Sequence, residues 1–280
     1  CATDSLPYFL LTYSITSSLL IWQKSISKSG IETRSGFKNL SKSKLYLIGS
    51  KSVIPNDQAA TLPAPEPLPG PTGILFSFAD NIPENSTVIH LAAISSEQKC
   101  KLDKKLAFDV NVGGTVNVLE ACRLYGKVKA VIVSSSDKAY GSGEVPYVEG
   151  QSLNGVGTYE VSKSATDLIA RSFYSNYDVP VVVTRCSNLY GGGDMNFTRV
   201  IPNNIRQILN GKSPMIWKGS EKSTREFLYI EDAVDAYLSL VDNIDKTKGE
   251  AYNIGSGEIF TIEELLNSLL NTMDSDLEIE

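Results

Sequence analysis

The chain has 280 residues, of which 42% are hydrophobic and 21% are charged, and its formal net charge is −6. These values are typical of a globular protein with a buried core, so they exclude wholesale disorder. The negative charge, with no Lys/Arg-rich run, argues against a nucleic-acid partner, which requires a basic surface.

The first 73 residues differ from the rest of the chain in composition and in lacking a periodic hydrophobic pattern. Residues 1–54 are rich in Ser and Lys without a sustained period, and residues 55–71 hold six of the twelve prolines, which predicts an extended linker. Residues 7–22 are apolar, but Thr and Ser interrupt them and no basic segment precedes them. We therefore interpret this stretch as neither a signal peptide nor a membrane span.

From residue 87 onward, segments typical of strands and helices alternate. The predicted strands are 87–90, 129–134, 180–184 and 251–254, and the predicted helices are 111–125, 159–177, 200–210, 231–241 and 261–273. This alternation predicts an α/β fold, a Rossmann-like parallel sheet with helices on both faces. In the helix 111–125, the spacing predicts one buried face, formed by Val112, Val116, Leu119 and Cys122.

The chain is accordingly expected to fall into three parts. Residues 1–73 form an atypical N-terminal segment, and residues 74–185 form the Rossmann-like domain. Residues 186–280 form mainly a substrate region, from which residues 231–254 return to the sheet. Because the sequence stops soon after a predicted helix, we also expect the C-terminus to be truncated.

Two motifs carry the chemistry. Ser134, Ser135 and Ser136 follow a predicted buried strand, at the edge where open α/β sheets place their sites. Tyr159 and Lys163 open a predicted helix one turn apart on the same face. An ammonium group near a phenol stabilises the phenolate, which makes Tyr159 a candidate general base for an alcohol. The Tyr-x-x-x-Lys spacing alone is a weak signal, and the serine-rich strand end strengthens it.

Further segments follow in a fixed order: VIHLAA at 88–93, NVGGTVN at 111–117, TRCSNLYG at 184–191 and TREFLYIED at 224–232. With the two motifs, they resemble the extended short-chain dehydrogenase/reductase family of nucleotide-sugar epimerases and dehydratases over residues 88–260. The resemblance implies NAD as cofactor, a nucleotide-sugar substrate, no membrane or metal, and a cytoplasmic enzyme. It leaves open whether the chain forms a homodimer.

The segment Ser136-Asp137-Lys138, together with Gly191-Gly192-Gly193-Asp194, most resembles the CDP-glucose 4,6-dehydratases of that family. Water elimination needs an acid for the departing 6-hydroxyl and a base for the C5 proton, and Asp137 and Lys138 suit these roles. Three alternatives stay open. The two residues could instead cap a turn and face solvent. The chain could be a 4-epimerase or reductase of the same family, or a non-catalytic remnant.

By this resemblance, three groups of residues are expected at the site. The catalytic group is Ser136, Asp137, Lys138, Tyr159 and Lys163. The NAD-binding group is Leu91, Ala92, Ala93, Asn111, Ser134, Tyr159 and Lys163. The substrate-binding group is Asn188, Asn196, Arg199 and Arg225, with the arginine at 225 gripping the diphosphate. His90, the only histidine, is expected to have a structural role, and the four cysteines, which include no close pair, are expected to be reduced thiols.

One expected motif is absent. A dinucleotide-binding chain should open with a strand, a glycine-rich turn and a helix whose N-terminus holds the pyrophosphate. Residues 1–87 contain no G-x-G-x-x-G or G-x-x-G-x-x-G pattern, and Gly70-Pro71-Thr72-Gly73 is the nearest fragment. We therefore expect the N-terminal half of the sheet to be incomplete and NAD binding to be weak or lost.

Overall fold

A computed structural model of the chain describes residues 45–48, as backbone only, and residues 84–280. The predicted proline-rich linker and the apolar stretch 7–22 lie outside these residues. Within them, the chain forms two compact units. The first comprises 45–48, 84–185 and 240–252, and the second comprises 186–239 and 253–280.

The first unit is built on a sheet with the strand order β1-β2-β3-β4-β7. Its strands are β1 (Leu45–Ile48), β2 (Thr87–His90), β3 (Ala130–Ser134), β4 (Val181–Cys186) and β7 (Ala251–Ile254). The first four pair in parallel, and Val131 of β3 lies opposite Val181 of β4 in the register. The expected Rossmann-like parallel sheet is confirmed.

Strand β1 was not predicted from the sequence. The run LYLI at β1 pairs in parallel with β2, with Leu45 opposite Thr87 and Ile48 opposite His90. Four apolar residues inside a Ser/Lys-rich region are too few to establish a period, so pairing with a neighbouring strand decides their structure. The sequence predicted no strand in residues 1–73, and β1 lies within that segment.

Helices cover the sheet: α1 (Glu97–Leu102), α2 (Lys104–Phe108), α3 (Gly114–Tyr125) and α4 (Thr158–Tyr177). The central strands are fully buried because their β-branched side chains pack against these helices, as in the contacts of Val131, Val181, Leu119 and Phe173. Such burial on both faces is why β3 and β4 read as continuous apolar runs rather than alternating ones.

The helix predicted at 111–125 has a different start. A π-helical turn spans Asp109–Gly113 and α3 follows it. Within α3 the buried side chains include Thr115, Val118, Leu119 and Cys122, which share one helical face, whereas Val116 lies off that face and is 37% exposed. The prediction that Val116 faces the core was wrong because the buried face is centred on Thr115 and Val118, whereas Leu119 and Cys122 are buried as expected.

The second unit contains a smaller sheet, ordered β5-β6-β8, from β5 (Asn188–Tyr190), β6 (Thr224–Tyr229) and β8 (Ile259–Thr261). β5 and β6 are parallel, and β6 and β8 are antiparallel. Around it lie α5 (Val200–Leu209), the first part of α6 (Ile230–Asp242) and α8 (Ile262–Thr272), while the short α7 (Ile244–Thr247) belongs to the first unit. These three strands were not predicted, since β5 and β8 have only three residues each and β6 starts with two exposed polar residues instead of an apolar run.

Candidate active site

The serine-rich segment forms a tight turn at the carboxyl end of β3. Ser136 is the N-cap of a 3₁₀-helical turn, Asp137–Tyr140, and its Oγ accepts from the Lys138 backbone N–H at 3.2 Å. The same hydroxyl donates to Oδ1 of Asp137 at 2.9 Å. Asp137 and Lys138 therefore lie on a capped turn directly beside Ser136, at the edge of the sheet where sites of this fold occur.

Helix α4 carries the second motif into the same region. Tyr159 lies in its first turn, and Lys163 lies one turn later with only 5% of its surface exposed. Nζ of Lys163 donates to the Ser134 carbonyl oxygen at 2.6 Å, and Oγ of Ser135 donates to the Lys163 carbonyl oxygen at 3.0 Å. These two bonds join the serine-rich segment to the helix that bears the Tyr–Lys pair.

The start of α4 is held by Glu160. Its Oε2 accepts from the backbone N–H groups of Gly157 and Val156, each at 2.9 Å. These two bonds lower the pKa of Glu160, and the positive charges of Lys138 and Lys101 act in the same direction. An ionised Glu160 therefore fixes the turn that presents Tyr159.

Asn111 and His90 form a buried polar network behind the Tyr–Lys helix. The Asn111 amide accepts from the Ile94 N–H at 2.7 Å and donates to Ser162 Oγ at 2.9 Å. Its backbone oxygen accepts from Thr115 Oγ1 at 2.6 Å. Because the single Thr115 hydroxyl proton is used there, the His90 Nε2 atom, 3.0 Å from that hydroxyl, must be the donor. The pKa of His90 is lowered to about 3 by burial and by the charge of Lys163, so its ring is neutral.

The predicted cofactor residues follow the carboxyl end of β2. Leu91 and Ala92 are half-buried and Ala93 is buried, while His90 Nδ1 has no hydrogen-bond partner in the described part of the chain. The family resemblance assigns these residues, with Asn111 and the Tyr–Lys pair, to NAD binding, and this assignment stays a prediction. The residues that would hold the phosphates would precede β2, in the region whose sequence lacks a glycine-rich turn.

The predicted substrate residues all lie in the second unit, and three of them hold loops together. Asn188 Nδ2 donates to the Glu226 carbonyl oxygen of the neighbouring strand at 3.0 Å. Asn196 Oδ1 accepts from the Thr198 hydroxyl at 2.7 Å, and Arg199 pairs with Asp194 at 3.1 Å. Arg225 differs, since its side chain is exposed and its Nη1 donates to the carbonyl oxygen of the adjacent Thr224 at 2.7 Å.

A pocket of about 380 Å³ lies in the second unit between the segment 190–197 and helix α5. Tyr190, Phe197 and the glycines at 191–193 contribute to its wall, and the Arg206 guanidinium lies 4.3 Å from the Phe197 ring centroid. The region predicted to shape the substrate site therefore borders a cavity with aromatic and cationic groups.

Three further properties concern the described residues only. Between residues 84 and 280, no cluster of three or more His, Cys, Asp or Glu side chains could hold a metal ion. No described helix is long and apolar enough to cross a membrane. Cys100, Cys122 and Cys186 are buried free thiols, and burial raises the pKa of Cys122 to about 12.

Residues 77–255 match the NAD dependent epimerase/dehydratase family, which covers more than half of the chain. The chain belongs to this family. The matched residues include all the strands of the first sheet from β2 to β7, so the motifs between them belong to one family domain.

Named relatives of this epimerase/dehydratase chain act on different sugar nucleotides. It is 33% identical to a dTDP-D-glucose 4,6-dehydratase of Dictyostelium discoideum, over 60% of this chain and 41% of that protein. Its structure resembles DesIV, a dTDP-glucose 4,6-dehydratase of Streptomyces venezuelae solved with NAD, at 26% identity and a TM-score of 0.65. It also resembles a UDP-N-acetylglucosamine 4-epimerase of Methanobrevibacter ruminantium, at 26% identity and a TM-score of 0.66.

The chain spans only part of these proteins. It covers 41% of the Dictyostelium protein, 64% of the DesIV chain and 65% of the Methanobrevibacter chain, and 75% and 73% of this chain align with the two structures. The family is thus established for the epimerase/dehydratase chain, and the reaction and the sugar nucleotide are open to proposal.

Sequence reasoning missed three residues of the family domain that the fold brings together. The Arg185 guanidinium at the end of β4 bonds to Asp167 of α4 and to the Tyr140 hydroxyl of the 3₁₀ turn. One sequence signal pointed to this cluster: Arg185 follows the predicted buried run VVVT, and a buried charge requires a partner. The partner itself could not be read from the sequence, because Asp167 is 18 positions away and Tyr140 is 45 positions away.

Proposed function

We propose that the chain carries the catalytic centre of an NAD-dependent nucleotide-sugar 4,6-dehydratase. Residues 74–185 would bind NAD, and residues 186–280 would mainly bind the nucleotide sugar. One observation supports this choice above the others: the Asp137–Lys138 turn lies next to the Tyr159–Lys163 helix, tied to it through Ser134. An acid–base pair beside an alcohol-oxidising pair is what a coupled oxidation and elimination requires.

The oxidation half uses Tyr159, Lys163 and Ser136. Tyr159, as phenolate stabilised by the Lys163 ammonium, takes the proton of the sugar 4-hydroxyl. The Ser136 hydroxyl hydrogen-bonds to the same oxygen and steadies it as the carbonyl forms. NAD, when bound, supplies the hydride chemistry, accepting hydride from C4 and returning it later at C6.

The elimination half uses the residues that follow Ser136. The new 4-keto group acidifies the C5 proton, so a weak base suffices, and Lys138 takes that proton directly or through a water. Asp137 must carry a proton at this stage and gives it to the departing 6-hydroxyl, which leaves as water. The C5–C6 double bond formed in this way is then reduced at C6, with a proton returning to C5.

The substrate is proposed to be an NDP-glucose, with Arg225 as the diphosphate contact. Its guanidinium is exposed on β6, where it is accessible to a charged ligand, and planar guanidinium geometry suits oxygen pairs of phosphates. Asn188, Asn196 and Arg199 would shape the site rather than provide free ligands, because their side chains already bond to neighbouring loops. CDP-glucose remains the nucleotide sugar indicated by Ser136-Asp137-Lys138, and dTDP-glucose is the one indicated by the dehydratase relatives.

Product analysis tests this proposal. The purified chain, supplied with millimolar NAD, would be incubated separately with CDP-, dTDP- and UDP-glucose, and the products would be weighed by mass spectrometry. A 4,6-dehydratase yields a nucleotide sugar lighter by one water, and Tyr159→Phe should abolish that product. A product of unchanged mass but new sugar stereochemistry would replace the dehydratase by a 4-epimerase, the candidate favoured by the Methanobrevibacter neighbour. No conversion of any of the three substrates would favour a non-catalytic remnant.

A further inference from the structure

Arg185 is the largest fully buried side chain in the described part of the chain, and its donors reach three different segments. Nε and Nη2 bond to the two carboxylate oxygens of Asp167 at 2.7 and 3.1 Å. Nη1 donates to the Tyr140 hydroxyl at 2.6 Å and to the Glu149 carbonyl oxygen at 3.0 Å. A planar guanidinium makes such a set of bonds in one geometry only, so it fixes the three segments relative to one another.

Two of these segments carry the proposed catalytic groups. Asp167 lies one turn beyond Lys163 on α4, and Tyr140 ends the 3₁₀ turn that begins with Asp137. The Arg185 guanidinium also lies 4.9 Å from the Tyr140 ring centroid, and that ring stacks on Tyr147 at 4.6 Å. Tyr140 is therefore fixed at its hydroxyl by Arg185 and at its ring by Arg185 and Tyr147.

We infer that Arg185 and Tyr140 are positioning residues that hold the Asp137–Lys138 turn in register with the Tyr159–Lys163 helix. A single 3₁₀ turn has weak internal bonds and depends on external anchors. Burying an ion pair is a poor route to stability, since well-packed apolar residues often serve as well, and fixing a register is the best-attested use of such a pair. The catalytic consequence of the inference rests on the proposed function, whereas the ordering of the turn does not.

Amide hydrogen exchange of Tyr140→Phe tests the ordering directly. This variant keeps the ring and removes only the hydroxyl that accepts from Arg185. The amides of Ala139 and Gly141, which bond to the Ser136 and Lys138 carbonyl oxygens, should exchange at least ~10-fold faster than in the unaltered chain. Amides in the middle of α4 should be unchanged, which shows that the domain remains folded.

Arg171→Met is the matched control. Arg171 also pairs with Asp167, with Nε at 3.2 Å from Oδ1, but it is partly exposed and lies a turn further along α4. Removing it alters the charge around the same carboxylate without touching a contact of the 3₁₀ turn. Exchange at Ala139 and Gly141 should stay within about twofold of the unaltered chain. Equal acceleration in both variants, or in neither, would overturn the positioning role.

A kinetic measurement separates positioning from simple loss of folded protein. In single-turnover reactions, Tyr140→Phe should slow water loss by ~10-fold while C4 oxidation and KM change by less than about twofold, because only the acid–base turn is displaced. Arg185→Lys keeps the charge but loses the bidentate guanidinium geometry. It should likewise slow water loss while C4 oxidation and KM change little. Slowing of both steps by the same factor would contradict the inference. An unaltered chain without activity would refute the proposed function and leave the exchange result to decide the positioning role.

Discussion

Nζ of Lys163 lies 2.6 Å from the carbonyl oxygen of Ser134 and donates a hydrogen bond to it. The bond joins a side chain of helix α4 to the last residue of β3, two positions before Ser136. It places the ammonium at the carboxyl end of the strand, and it commits one of the three N–H donors of Lys163. In the proposed oxidation, this ammonium stabilises the Tyr159 phenolate.

Asp137→Asn should separate the two halves of the proposed reaction. The amide cannot protonate the departing 6-hydroxyl, so water loss should slow by ~10²-fold or more, the usual contribution of a positioned acid. Oxidation at C4 should persist, and it can be followed as NADH absorbance in a single turnover. Tyr159→Phe is the comparison, because it should stop both steps. An unchanged rate of water loss in Asp137→Asn would rule out this acid, provided that chemistry limits the rate.

Gly141→Ala should destabilise the first unit strongly. Gly141 ends the 3₁₀ turn with φ of 62°, and a Cβ added there would lie 2.0 Å from the Asn154 carbonyl oxygen. The left-handed backbone and the clash should together lower the free energy of unfolding by on the order of 3 kcal/mol. Urea denaturation followed by circular dichroism measures the loss.

Gly150→Ala provides the control for that experiment in the same loop. No atom lies within 4 Å of a Cβ added to Gly150. The substitution should therefore be neutral or raise the free energy of unfolding by a few tenths of a kcal/mol, through reduced entropy of the unfolded chain. A similar loss of stability at both positions would show that the close approach of Gly141 to Asn154 is not what the turn requires.

His90 should make the protein less stable in mild acid. Its pKa is lowered to about 3 by burial, with a smaller contribution from Lys163, whereas an unfolded histidine titrates near 6.5. Between these values the unfolded chain binds a proton that the folded chain does not, so the free energy of unfolding falls as the pH is lowered through this window. From pH 7 to pH 5 the fall should be about 2 kcal/mol, provided only that the folded pKa stays below about 4.

Comparison with His90→Gln isolates this contribution from the titration of carboxylates. Glutamine retains a hydrogen-bonding group for Thr115 and does not titrate, so its free energy of unfolding should fall by about 2 kcal/mol less over the same pH interval. Urea titrations at the two pH values give both numbers. Equal falls in the two proteins would mean that the folded chain protonates His90 at its ordinary pKa.

NAD should bind the chain weakly or not measurably. The family resemblance assigns the residues after β2 and the Tyr–Lys pair to NAD binding, but the sequence of residues 1–87 has no glycine-rich motif for the pyrophosphate. Each 1.4 kcal/mol of lost phosphate interaction weakens binding tenfold, so a dissociation constant above the micromolar range is expected. Calorimetric titration measures it. A micromolar constant would show that the N-terminal residues hold the phosphates in a way that the sequence pattern does not indicate.

Local pattern was sufficient to predict the long elements and to nominate the candidate site residues. The β-branched runs at β3 and β4 and the periodic helix α4 were predictable because their neighbours in the sequence carry the signal. The one-turn spacing of Tyr159 and Lys163 likewise follows from helix geometry alone. These residues identified the sheet edge at which the candidate site lies.

Tertiary structure alone decided the features that depend on distant partners. β1 is a strand because β2 pairs with it, and Val116 faces outward because α3 packs through Thr115, Val118 and Leu119 instead. Arg185 meets Asp167 and Tyr140 across separations of 18 and 45 residues. Contacts at such separations form only after the sheet and helix have packed, and they leave no periodic trace in the sequence, so only the folded chain shows which residues contact the turn Asp137–Tyr140.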